Sequence, residues 1–286
     1  MRNIVLNGPV DIDGFREAAR ALLALDIPPD QVNWRSAAEV TQDLFTSDGA
    51  ASVIQPIRPQ ETVTAIRVPP EFASLCTSVI LHSDPNRFGL LYRLLWRLKT
   101  EPSLRHDPLD ADWLQAQRMA QAVRRDMHKM KAFVRFREVV EPDGVSEPLH
   151  IAWFEPEHHT LQATAPFFVR RFTQMRWAIL TPECSASWDG MALTFGPGAK
   201  KQDVPPADAG EALWLIYYQN IFNPARLKLK MMQKEMPKRY WKNLPEAQFI
   251  TELAAGATER RMRMMIQVPS APRRRVPAYV KPVQAR

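Results

Sequence analysis

"RRDMHKMKAFVRFRE", residues 124–138, carries the reading on which the fold turns. Eight of its side chains are charged (Arg124, Arg125, Asp126, Lys129, Lys131, Arg135, Arg137 and Glu138), strung around a short apolar series. From Lys129 onward Met130, Ala132, Val134 and Phe136 alternate with Lys129, Lys131, Phe133, Arg135 and Arg137, and a period of two is that of a half-buried strand. This predicts a strand over 129–137 that follows a helix, with His128 at the junction. Two uses of such a face stay open: a solvated basic edge, or a surface whose cations meet phosphates while Phe133 offers a ring to a base.

Upstream of this stretch the pattern is helical. "PEFASLCTSVILH", "PNRFGLLYRLLWRLKT" and "DADWLQAQRMAQAVRRDMHKM" each carry apolar residues at spacings of three and four, and each begins near Pro or Asp, the residues that open helices. Leu90, Leu91, Leu94, Leu95 and Leu98 form the stripe of a buried helix face. Nearer the N-terminus, "IVLNG" reads as a strand and "VDIDGFREAARALLALDIPPDQ" as a turn and an amphipathic helix, stopped at Pro28 and Pro29. Residues 39–66 read as strands and loops.

Downstream, "HIAWFEP", "RWAILTP" and the two halves of "SASWDGMALTFGPG" read as strands, and "TLQATAPFFVRRFTQM" as a helix with an internal proline. Strands around one helix suggest a small antiparallel sheet with helices on one face. Helices resume after "GPGAKKQDVPPADAG", and the end of the chain is basic and proline-bearing. The expected fold class is α+β: a helical N-terminal region (1–127), an α+β core with a small antiparallel sheet followed by basic helices (128–268), and a basic Pro-containing tail or linker (269–286).

The 286-residue chain has a net charge of +7, but the charge is regional. From Arg226 onward 15 Lys/Arg face 4 Asp/Glu, +11, which leaves −4 for everything before. A concentrated basic region points to a polyanionic partner. Two distant cysteines, Cys76 and Cys184, support neither a disulfide framework nor a cysteine metal site, and a reducing compartment fits them. The start of the chain lacks an apolar run of signal-peptide length, and no stretch of 18 apolar residues occurs. The expectation is a soluble cytoplasmic protein with no membrane partner.

Chemistry-bearing residues fall in four places. His128 is a candidate acid or base, because imidazole titrates near neutrality. "WFEPEHHTL" groups Glu155, Glu157, His158 and His159, which suits an acidic helix start better than a metal site, since adjacent histidines point apart. Arg170, Arg171 and Arg176 sit among Phe167, Phe168 and Trp177, where guanidiniums can grip phosphate and stack on bases or else pair with Glu155, Glu157 and Asp189. "NPARLKLKMMQKEMPKRYWKNLPEA" interleaves Arg226, Lys228, Lys230, Lys234, Lys238, Arg239 and Lys242 with Tyr240 and Trp241, and Pro237 predicts a loop presenting "KRYWK". There is no Gly-rich phosphate loop, no GxSxG and no HExxH, so no cofactor and no metal are expected.

At "MHKMKAFVRFRE", "WFEPEHH", "APFFVRRFTQMRWAILTP", "WDG" and "NPARLKLKMMQKEMPKRYWKNLPEA" the chain resembles a bacterial family of DNA-repair or DNA-metabolism proteins built on a domain of unknown function. In that family the domain is often fused ahead of a UdgX-type uracil-DNA glycosylase domain, or is associated with a radical-SAM protein. "SDPNRFGLLYRLLWRLKTEP" is similar to the fused version's N-terminal region, and the resemblance runs from residue 1 to about residue 267. This chain departs from the fused version where the glycosylase would begin: it carries the basic tail, and no cysteine set for an iron–sulfur cluster. Uracil excision is therefore not carried over.

The resemblance implies DNA metabolism and names no reaction. The expectation is a DNA-binding accessory protein of repair with a glycosylase or radical-SAM partner. Lys129, Arg135, Arg137, Arg170, Arg171, Arg176, Lys228, Lys230 and Lys238 would hold phosphates, with Phe133, Tyr240 and Trp241 as stacking platforms. The rivals are an enzyme on damaged DNA using His128, Glu157 and His158 as acid–base groups, and a protein–protein scaffold.

Overall fold

The computed structural model describes residues 1–37, 68–139, 148–203, 234–244 and 247. The expected strands and loops of 39–66 and the helices and tail expected over most of 204–286 lie outside the described residues, apart from the short segment near Pro237. The chain divides into two compact units, 1–208 and 209–286.

The first unit opens with β1 (Arg2–Leu6), α1 (Ile12–Ala24) and β2 (Val32–Ser36). β1 and β2 pair in parallel, Arg2 opposite Val32 and Leu6 opposite Ser36, because α1 returns the chain to the same edge. Asp11 caps α1 through Oδ1, which accepts from Gly14 N at 2.8 Å. Then come α2 (Pro70–Val79), α3 (Arg87–Arg97) and α4 (Ala111–Phe133), the last capped by Asp110, whose Oδ1 accepts from Trp113 N at 2.8 Å.

Their apolar faces meet in one core. Phe15, Trp34, Phe88 and Tyr92 are its aromatic centre, with Phe15 and Trp34 ring centroids 5.0 Å apart and Trp34 and Tyr92 5.8 Å. Tyr92 Oη donates to Ile27 O at 2.6 Å, so its hydroxyl is satisfied inside that core. Cys76 lies in the same core, where burial pushes its thiol up to about 12 and leaves it unreactive as a nucleophile.

The second half of the unit is a sheet in the order β3 (Arg137–Val139), β4 (Leu149–Trp153), β5 (Arg176–Leu180), β6 (Cys184–Trp188) and β7 (Leu193–Pro197). The α+β architecture expected from the sequence is present. The sheet is mixed, however, where an antiparallel one was expected: β4 and β5 run parallel because α5 (Leu161–Arg171) forms the crossover between them, and the other neighbours are antiparallel. Pro166 is carried inside α5. Phe136, Phe168, Phe172 and Trp177 interlock beneath the sheet, with Phe136 5.4 Å from Phe172 and 6.0 Å from Phe168 and Trp177.

The strand expected over 129–137 is corrected. α4 runs unbroken through 127/128 to Phe133, and β3 starts only at Arg137. His128 is therefore inside a helix, and Ala132, assigned to the apolar strand face, is exposed. Met130 and Val134 belong equally to a period of two and to a helical series: Met119, Val123, Asp126, Met130 and Val134 are all buried at spacings of four, three, four and four.

In the second unit, Pro237 precedes a one-turn helix, α6 (Lys238–Trp241), where a loop was expected. Proline's fixed φ suits the entry to a helix, and here it starts a new turn.

Candidate nucleic-acid interface

α4 buries one face and displays the other. Gln117, Gln121, Arg124, His128 and Lys131 are exposed at steps of four, three, four and three, and Arg118 and Arg125 are exposed beside them. Near its N-terminal half the helix borders an open cleft of about 590 Å³, lined by Glu71 and Leu75 of α2 and by Trp113, Gln117, Arg118 and Arg124 of α4. Cleft and stripe share Gln117, Gln121 and Arg124, so a ligand lying along α4 meets both.

The exposed cations of this face meet no acid among the described residues. Among the described residues Arg118, Arg124, Arg125 and Lys131 have no carboxylate within ion-pair distance, and neither do Arg170 and Arg171 at the end of α5. Asp126, the acid embedded in the stripe's sequence, is only 1% exposed and turns inward. Lys131 Nζ stands 5.2 Å from the Phe167 ring centroid, which joins the α4 stripe to α5. Lys129 Nζ stands 5.7 Å from the Phe133 ring centroid, so that cation and that ring are side by side on α4.

The remaining sequence-named positions have distinct settings. Arg135 folds back on the helix end, its Nη1 donating to Ala132 O at 2.8 Å and Val134 O at 3.3 Å, a contact that satisfies terminal carbonyls. Arg137 begins β3, opposite Ile151. Arg176 begins β5, opposite Leu149, and its charge helps hold the Asp189 carboxyl below the usual range, after the larger effect of the backbone amides of Ala192 and Met191. Lys228 and Lys230 lie outside the described residues. In the second unit Tyr240 is buried under Arg239, whose guanidinium lies 4.6 Å from the ring centroid, and the half-buried Trp241 donates Nε1 to Met236 O at 2.9 Å. Lys238 is exposed on the same turn.

Glu157 and His158 come together on Asp126, through their backbones. Asp126 accepts from Glu157 N at 3.1 Å, from His158 N at 3.2 Å and from Thr160 Oγ1 at 2.9 Å, pinning the loop between β4 and α5 to α4. His128 stands two residues along from Asp126, about 200° round the helix, and is exposed. The structure therefore sets His128 on the face turned away from the carboxylate that holds His158.

The ring that does meet His158 is His82, from the loop between α2 and α3, at 4.2 Å between centroids and 30° between planes. Asp84 N donates to His82 Nδ1 at 3.0 Å. Ser83 N and Ser83 Oγ lie 3.3 and 3.0 Å from His158 Nδ1. A backbone N–H on each Nδ1 leaves both rings neutral with the proton on Nε2. Neither Nε2 has a protein partner among the described residues, so both stay available as donors. Burial lowers the affinity of both rings for a proton; His82 is raised again by Asp84 and lowered by Arg87 and His159, while His158 is lowered further by His82 and His159 against Asp126.

Alongside, His159 N donates to Leu81 O at 2.9 Å, and His159 Nδ1 lies 2.6 Å from Glu183 Oε2, which holds the Glu183 carboxyl below its ordinary range. No three His, Cys, Asp or Glu side chains converge as a metal site among the described residues.

Sequence reasoning missed His82, Ser83, Asp126, Glu183 and Arg118 as parts of these sites. "LHSDPNR" carried a signal, a His beside a Ser and an Asp between two helices, but the partner loop is 75 residues away.

No helix among the described residues is long and apolar enough to cross a membrane. No curated protein and no solved structure matches the chain. A family model described as a domain of unknown function, DUF4130, matches residues 85–246, which take in α3, α4, the whole five-stranded sheet and the turn at Lys238–Trp241. With more than half its length matched, the chain belongs to that family.

Proposed function

We propose that this protein is a DNA-binding accessory protein of DNA repair or metabolism, working in the cytoplasm beside a glycosylase-type or radical-SAM partner enzyme. The observation that carries the reading is the exposed face of α4 with the end of α5: Arg118, Arg124, Arg125, Lys131, Arg170 and Arg171, none with a carboxylate partner among the described residues. Cations that a protein does not neutralise internally are available to phosphates, and each phosphate engaged releases condensed counterions. Phe167 under Lys131 and Phe133 beside Lys129 add rings on which a base can stack. The partner class rests on the resemblance to DNA-metabolism chains, and two cysteines held as free thiols suit a reducing compartment.

Binding of the full chain to single-stranded and duplex oligonucleotides, followed by fluorescence anisotropy across a salt series, tests this reading. The expected result is an affinity that falls linearly on a log–log plot with a slope of about −4 to −5 on duplex and about −3 to −4 on single strands, from roughly five phosphate contacts. Absence of binding to every DNA at 20 to 50 mM salt, about the range where such contacts are strongest, would remove it.

One observation favours a second reading, acid–base chemistry on bound DNA: the His82–His158 pair, two imidazoles in ring contact whose Nδ1 atoms accept from the backbone. In this reading His82, in place of His128, partners His158. Lesion-bearing oligonucleotides converted by the full chain, and left unconverted by His158→Asn, would support it.

A further inference from the structure

The turn between β6 and β7 is built to hold an apolar side chain in solvent. Asp189 Oδ1 accepts from both Met191 N and Ala192 N at 2.7 Å, a closed Asx arrangement. Gly190 sits at φ +100°, a conformation that glycine takes at no steric cost. The result is a short, pre-formed tip with Met191 at its apex, 91% exposed, and Phe195 on β7 behind it at 45%. Trp188 Nε1 donates to Thr173 O at 3.2 Å, which ties the tip to the loop that follows α5.

That tie joins the hairpin to the chain just after two arginines. Arg170 and Arg171 precede Thr173 by three and two residues, are exposed, and meet no carboxylate among the described residues. Register places Trp177 opposite Trp188, so Arg176 is one step along, level with Asp189, where the two charges offset one another. A lone exposed methionine needs no explanation; one held on a closed turn, on a strand tied to the loop just after Arg170 and Arg171, has the form of an apolar wedge with a phosphate grip.

We propose that Met191 enters a base step of duplex DNA while Arg170 and Arg171 hold the flanking phosphates. This rests on the DNA-binding reading above. Unstacking is easiest where pairing is already weak, so the wedge prefers a mismatch or abasic position over intact duplex, by about tenfold.

The test uses the full chain with duplexes carrying 2-aminopurine beside a mismatch, measuring affinity and fluorescence together. Wild type is expected to brighten the probe. Met191→Ala, which removes only exposed atoms, is expected to lose the brightening and the mismatch preference while keeping its affinity for intact duplex within about twofold; Met191→Leu is expected to retain both effects. Duplex binding with no brightening by wild type, or equal brightening by Met191→Ala, overturns the wedge and leaves DNA binding standing. No binding to any duplex removes both. Binding to phosphatidylglycerol vesicles that Met191→Ala abolishes, with no effect on the DNA probe, overturns the wedge in favour of a lipid surface.

Discussion

Two sets of arginines a few turns apart are used in opposite ways. On α3, Arg93 grips Asp112 with Nε and Nη2 at 2.9 and 2.7 Å, and Arg97 reaches Asp110 at 2.7 Å, Asp112 at 3.2 Å and Glu101 at 3.3 Å. Hydrogen bonds from Arg93 and Arg97 hold the carboxyls of Asp112 and Asp110 below their ordinary range. On α4, Arg118, Arg124, Arg125 and Lys131 have no such partner among the described residues, and the one acid among them, Asp126, is turned into the protein to organise a loop. Composition treats these cations as equal; the difference is that one set is paired with carboxylates inside the fold and the other meets none among the described residues.

The comparison breaks first at Asp126. Asp126→Ala takes the acceptor from the buried His158 amide and the part-buried Glu157 amide, leaves the buried Thr160 hydroxyl only its longer bond to His158 O, and is expected to cost about 3 kcal/mol, read as a lower urea midpoint with an unchanged m-value. If stability held, the inward role of this carboxylate would be wrong. Next in size is reversal of the α4 stripe: Arg124→Glu, Arg125→Glu and Lys131→Glu together are expected to weaken DNA binding about 100-fold and flatten the salt slope by about 2 to 3, with thermal stability unchanged.

The converse substitution, Arg97→Ala on α3, is expected to cost about 1 kcal/mol of stability and leave DNA affinity alone; an equal loss of affinity from either helix would erase the distinction. The smallest effect concerns pH. His82 and His158 resist protonation when folded, so the unfolded chain binds more protons as pH falls, and the stability they contribute is complete above about 6.5 and lost below it. The effect is expected to be smaller than that of either substitution above. The slope of melting temperature against pH below 6.5 should flatten in His82→Asn and His158→Asn, whose amide oxygens take the place of Nδ1. An unchanged slope would show that these rings titrate alike in both states.

Much of the fold was legible because it depends on short-range period. The stripe at Leu90, Leu91, Leu94 and Leu95 is buried as its spacing requires, and Asp11 and Asp110 cap the helices they precede. The failure at 129–137 came from Met130 and Val134, which satisfy both periods; the packing of Asp126 and Met130 on one helical face decided between them. The parallel pairing of β4 and β5 was missed for a related reason: a strand's sequence does not state its neighbour's direction, which the intervening helix sets.

The candidate sites divide in the same way. The sequence by itself determined that basic and aromatic residues concentrate at 124–138 and 167–177, since residue identity and local spacing need no third dimension. Which cations remain available, which histidine meets His158, and that Asp126 faces inward were decided by tertiary structure alone. Hydrogen bonds act over about 3 Å and cation–ring contacts over about 6 Å, and only folding brings Ser83 to His158 or Lys131 to Phe167 within those ranges.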